Sequence, residues 1–258
     1  IHTSIELSNM KMDESGAEEE TFTEVMMAVA FVSGMIIYMF IFIFGAAVLR
    51  GVMEEKTSRI IEVMVSSVRP FQLMMGKILG IAMVGLTQFL LWIVLTFAIV
   101  SVFQIAFADQ MPGPEVRMAM TQPPEVLPQS ADQPEIARVF EIIDSINYPV
   151  ILISFLFFFL GGYLLYAALF AAIGAAVDSE TDTQQFMMPV TIPLFLGFII
   201  ANMVIYNPDG QLAVWFSMIP LTSPVVMMAR IPFGVPIEQI WISGILLILG
   251  FIFTTWIA

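Results

Sequence analysis

Apolar residues gather along this chain into long unbroken runs separated by short polar stretches, a pattern unlike the amphipathic spacing of helices around a soluble core. Runs longer than roughly 18 residues mark candidate transmembrane helices. Five such runs cover about residues 25–49, 78–107, 149–177, 186–206 and 237–258. The second is long, roughly 45 Å at 1.5 Å per residue, so it is expected to tilt, bend or project beyond the bilayer. A further apolar piece, AVWFSMIPLTSPVVMM at 213–228, is short and is cut by Pro220 and Pro224. Broken backbone at membrane depth survives only when it is packed in protein or lines a cavity. The piece therefore reads as a re-entrant or interfacial element on the outer side; if it spans instead, the last run reverses direction. The expected fold class is an all-α polytopic membrane protein.

Composition agrees, since 59% of the residues are apolar and only 12% are charged, where soluble domains carry about twice that share of charge. Short alternating segments of the outer-membrane barrel type are missing. With no cysteine, disulfides, thiol catalysis and Cys-ligated metal sites are excluded. The net charge of −13 is informative only through its placement. Residues 1–24 set Lys11 against Glu6, Asp13, Glu14, Glu18, Glu19, Glu20 and Glu24, and the Pro-rich stretch 109–148 sets Arg117 and Arg138 against seven more acids. Residues 50–77 instead hold Arg50, Lys56, Arg59, Arg69 and Lys77 against Glu54, Glu55 and Glu62. Lys and Arg near span ends set orientation, which puts 51–77 in the cytoplasm and both acidic patches outside.

Within that basic segment Glu55, Arg59, Glu62, Ser66 and Arg69 recur at steps of four and three, while Ile60, Ile61, Met64, Val65 and Val68 fill the other face. That spacing predicts an amphipathic helix over 51–69, ended by Pro70, with Lys77 at the inner boundary of the second span. Its polar face carries both signs. A helix lying on anionic lipid favours a face rich in Lys and Arg, so mixed charge suits a protein partner better.

The order of span, GVMEEKTSRIIEVMVSSVRPFQLMMGKILG and long span resembles the membrane subunit of type-2 ABC exporters, most closely the NatB-like sodium-efflux permeases. The resemblance implies that 51–69 is the coupling helix, with Glu54, Glu55, Lys56, Arg59, Glu62, Arg69 and Pro70 as the docking set for an ABC ATPase subunit. It extends to an inner link, DSETDTQQFMMP, where Asp178, Glu180, Asp182 and Gln184 form a second cytoplasmic loop. The implied assembly is two permease copies, a homodimer, with two ATPase subunits. ATP and Mg would sit in the partner, since this chain has no phosphate-binding loop of the Gly-x4-Gly-Lys-Ser/Thr form and is not itself expected to be an enzyme. The family also has an N-terminal span and a large extracytoplasmic domain. Residues 1–24 then read as the tail of that outer domain, and the chain as a piece of a longer polypeptide in a bacterial inner or plasma membrane.

Smaller features complete the expectation. Ala167, Ala171 and Ala175 form a small-residue row beside Gly161 and Gly162, a face suited to close helix packing within the subunit or across a dimer. Gln88 and Asn202 are the mid-span amides that either line a pathway or bond between helices. No carboxylate lies mid-span, which weighs against a sodium site of the usual kind. No His, Asp or Glu cluster has metal-ligand spacing, and no nucleic-acid partner is expected. The competing class is a membrane scaffold that passes ATP-driven motion to an outer domain with no cargo crossing.

Overall fold

The computed structural model describes residues 16–57, 70–106, 148–177 and 180–257. Among these there is helix and no strand. Helix α1 runs Gly16–Thr57, α2 Pro70–Ala106, α3 Tyr148–Ala176, α4 Glu180–Val204, α5 Gln211–Met218, α6 Ser223–Arg230 and α7 Ile237–Ile257, with a single 3-10 turn at Ile231–Phe233 between the last two. The chain divides into two units: residues 1–26 with 112–146, and residues 27–111 with 147–258. Of the first, the described part is the start of α1. The second holds the helical bundle.

Five of the helices, α1, α2, α3, α4 and α7, are long and apolar enough to cross a membrane. The core lies where they meet. Helix α3 is its axis, burying Phe158, Phe159, Tyr163, Tyr166, Ala167 and Phe170 among its neighbours. On one side Phe159 meets Phe40 and Phe44 of α1 edge to face, at ring separations of 5.7 and 6.4 Å. On another Phe155 stacks on Phe89 of α2 at 4.8 Å. In lipid there is no hydrophobic gain from hiding Leu or Phe, so contact of this kind, with small residues letting backbones close, carries the association. Large side chains on the outer faces, such as Leu90, Trp92, Phe97 and Ile153, stay exposed.

Several helix ends differ from the sequence expectation. Residues 51–57 are not the first turns of a separate amphipathic helix; they continue α1 through Gly51, whose place just after Arg50 and the apolar run would by itself allow a helix end. Helix α2 opens at Pro70, well before Ile78. Proline is at home in the first turn, where its missing N–H would have no partner anyway, so Pro70 starts a helix as naturally as it stops one. The acidic link is likewise helical from Glu180 onward, with Asp182 in the first turn of α4, where the helix dipole favours a carboxylate. Pro189 and Pro193 then lie inside α4. The remainder of the 51–69 segment, the stretch 109–147 and residues 1–15 fall outside the described residues.

Candidate functional site

Two places in the bundle concentrate polar groups. The first is the end where α1 finishes, α2 starts and α3 finishes. Lys56 Nζ donates to the carbonyl oxygens of Ala175 at 3.0 Å and Val177 at 2.9 Å. The last carbonyls of a helix have no partner within it and lie at the negative end of the helix dipole, so α1 supplies the cap and the cation that α3 lacks. Lys77 Nζ donates to the Gly51 carbonyl and pairs with Glu55 Oε1 at 2.6 Å. Both partners of that ion pair are only about one-fifth exposed.

Three of the docking residues expected from sequence therefore stand on the described part of the segment. Glu55 and Lys56 are turned into contacts within the chain, while Glu54 is exposed. Arg59, Glu62 and Arg69 lie outside the described residues, and Pro70 is described only as the first residue of α2. In the second predicted cluster, Asp182 and Gln184 are exposed on the first turns of α4, Glu180 opens the helix, and Asp178 lies outside the described residues.

The second polar place is the proline-cut piece 213–228, which forms a helical hairpin. Helices α5 and α6, eight residues each, are about 12 Å long at 1.5 Å per residue, too short to cross roughly 30 Å of hydrocarbon. The turn between them holds Pro220, and Pro224 sits in the first turn of α6. Every residue of α6 is buried. Side chains of α3, of α7 and of the hairpin itself bind the hairpin's backbone. Tyr166 of α3 donates to Leu221 O at 2.6 Å, fixing the tip. Thr222 Oγ1 donates to Phe216 O at 2.6 Å, and Ser243 of α7 to Ser217 O at 2.6 Å. Removing the tip bond with Tyr166→Phe should cost about 1–2 kcal/mol, because a turn carbonyl then loses its donor; a thermal melt in detergent checks it, and an unchanged midpoint would show that the tip is held by packing alone.

Arg230, at the last residue of α6, is fully buried and is the residue the sequence reading passed over. Its Nε donates to Pro208 O at 2.8 Å and Nη1 to Ser217 Oγ at 2.8 Å, while Nη2 lies 3.6 Å from Asp209 Oδ1. Burial pulls its pKa down from the ordinary arginine value and the Asp209 carboxylate pulls it back up. The guanidinium thus ties the chain entering the hairpin to the chain leaving it. A cleft of about 360 Å³ opens beside the tip, walled by Leu165, Pro189, Pro193, Pro220, Gly250 and Phe253 among others. Its walls are apolar, and the hydroxyl of Thr254 there is spent on Phe251 O at 2.9 Å.

The mid-span amides are not brought together. Asn202 is half-buried and bonds Phe198 O of its own helix at 2.8 Å. Gln88 is exposed on α2. Four of the five small residues face inward: Ala167 and Ala171 are buried, Gly161 lies against Leu247 of α7 and Gly162 against α1 and α6, whereas Ala175 is exposed at the lysine end. Among the described residues, no group of three or more His, Asp or Glu could hold a metal.

This arrangement of five spanning helices with a buried hairpin can be compared with known proteins. The sequence model of the ABC-2 family transporter proteins matches residues 3–258. The chain belongs to the ABC-2 transporter family. This ABC-2 family member is a multi-pass membrane protein. It is 27% identical over 216 residues to the uncharacterized protein YhaP of Bacillus subtilis, covering 84% of this chain and 45% of that protein. It is 22% identical over 242 residues to the uncharacterized protein MJ1024 of Methanocaldococcus jannaschii, covering 93% of this chain and 50% of that one. The chain thus spans about half the length of the curated relatives it matches. No solved structure matches it.

Proposed function

We propose that this chain is the membrane subunit of an ATP-driven exporter, working as two copies with two separate ABC ATPase subunits that dock on the 51–69 segment. The observation that carries the reading is the family match across nearly the whole chain, joined to a sequence without a phosphate-binding loop of its own. ATP and Mg are in this reading held by the ATPase partner. In this reading the lysine end faces the cytoplasm, and the exposed residues there, Glu54, Asp182 and Gln184, flank the docking surface. A second copy gives exposed Gln88 a polar neighbour or a wet path at a depth where lipid offers neither.

The resemblance to NatB-like permeases points to sodium as cargo. The described spans hold their carboxylates only near helix ends, as with Glu54, Glu55, Asp182 and Glu238, and the cleft at the hairpin tip is apolar. We therefore favour an apolar or amphipathic small molecule over sodium.

The test is copurification and ATPase activity of the full-length protein with its nucleotide-binding subunit. Because Glu55 is engaged by Lys77, the variant to use reverses Arg59 and Glu62 and leaves the acids at the end of α1 in place. Losing two charge contacts across a docking face is expected to weaken association by about tenfold or more, since mutating one charge of a desolvated pair costs roughly 2 kcal/mol or above. Unchanged copurification and unchanged ATPase activity would sink the docking reading and leave the segment as a membrane-surface anchor.

A further inference from the structure

Lys56 and Lys77 bracket the 58–69 stretch, one at the end of α1 and the other near the start of α2, and each is tied across to a different helix. Lys56 reaches carbonyls 119 and 121 residues away on the terminal turn of α3. Val177 N bonds Ile173 O, which leaves Ala175 O among the orphan carbonyls that need an outside donor. Lys77 reaches back to the Gly51 carbonyl and to Glu55 of α1. A Cβ at position 51 would lie 3.1 Å from the Lys77 Cδ and Nζ atoms, so the glycine leaves the room the ammonium uses. Glycine inside a helix costs about 1 kcal/mol relative to alanine, so propensity alone gives no reason for it here.

We infer that Lys56 and Lys77 are positioning residues that make the ends of α1, α2 and α3 move as one when the 58–69 segment is displaced; the inference rests on reading that segment as the ATPase-docking element. Terminal turns fray easily, and a push delivered to two frayed ends would be lost in local opening. The two ammonium groups close that leak. The hydrogen bonds run from flexible side chains to fixed backbone carbonyls, and the Lys77–Glu55 pair joins two flexible side chains, so the clasp can follow a rigid shift of the three ends without breaking. The connection to α3 matters most. That helix packs on α2, α4, α6 and α7, so it can carry a displacement from the lysine end to the hairpin.

Hydrogen exchange on the full-length protein assembled with its ATPase subunit, with and without a non-hydrolysable ATP analogue, tests this. In the unaltered protein, residues 58–69 are expected to slow when the ATPase binds, and residues 170–177 to change rate when nucleotide is added. In Lys56→Met the first effect should persist while the nucleotide-dependent change at 170–177 falls by about fivefold, the loss expected when a roughly 1 kcal/mol tie is cut. Lys56→Arg should restore it, and Gly51→Ala, which crowds Lys77, should reproduce part of the loss. A merely structural cap would speed exchange at 170–177 equally in both nucleotide states and leave the difference intact. A nucleotide-dependent change at 170–177 that survives Lys56→Met, or that is missing in the unaltered protein, overturns the clasp as the route. If 58–69 is not protected by the ATPase at all, the docking reading itself fails and takes this inference with it.

Discussion

Arg230→Met should be among the most destabilising single changes in this chain, lowering stability by about 2–4 kcal/mol in a detergent or nanodisc melt. Methionine is shorter than arginine but close to it in volume and suits a buried helix end, so most of the cost comes from lost hydrogen bonds and the rest from the space left at the guanidinium. Pro208 O and Ser217 Oγ both lose their donor, and the two ends of the hairpin lose the group that joins them. Asp209 contributes little to that total. Its side chain is 85% exposed and 3.6 Å away, so Asp209→Asn should change stability by less than about 0.5 kcal/mol. Arg230→Lys should not rescue, because one ammonium cannot reach Pro208 O and Ser217 Oγ in the directions a planar guanidinium serves together. A methionine variant as stable as the parent would show that α5 and α6 are held by packing and by Tyr166 and Ser243, with the arginine incidental.

That prediction turns on a residue invisible to sequence pattern, and the reason is general to this fold. Run length against bilayer thickness fixes which segments can cross, so the five spanning helices could be read directly, as could the short proline-cut piece. Depth and partners could not. Arg230 appears in sequence as one cation after VVMMA, with the look of a helix end near water; its carbonyl and hydroxyl partners lie 22 and 13 residues away and meet it only once the hairpin has closed. Lys56 and Glu55 pose the same problem at the other end of the bundle. Glu55 fitted the spacing of a polar helix face and Lys56 belonged to the docking set the resemblance implies, yet in the structure Lys56 caps α3 and Glu55 pairs with Lys77. Pro70 and the Glu180–Gln184 stretch show a different limit. Proline and acids are compatible with a helix start as well as with a helix stop or loop, and only the neighbouring backbone decides between them.

The largest effect from packing alone should come from Gly162→Val on α3. A Cβ built at Gly162 would lie 2.7 Å from Ile41 Cδ1 of α1 and 2.7 and 2.8 Å from Pro224 Cγ and Cβ of α6. Ile41 can turn its terminal methyl away. The Pro224 ring cannot, since it is locked to its backbone inside a helix whose residues are all buried. The added side chain must therefore push α6 away from α3, which loosens the Tyr166 bond to the hairpin tip along with the packing, and we expect about 3 kcal/mol or more of destabilisation, at or above the usual upper range for overpacking. The neighbouring Gly161 provides the control. Its Cβ would meet only the Leu247 side chain, at 2.8 Å from Cδ2, a flexible end that can swing aside, so Gly161→Ala should cost at most about 1 kcal/mol. Gly80 on α2 has nothing within 4 Å, and Gly80→Ala should be neutral or stabilising by up to about 1 kcal/mol through helix propensity. Melting the three variants side by side separates a steric wedge between α3 and the hairpin from a general dislike of glycine replacement. Equal effects at positions 161 and 162 would mean that the hairpin is not seated against α3 at Pro224.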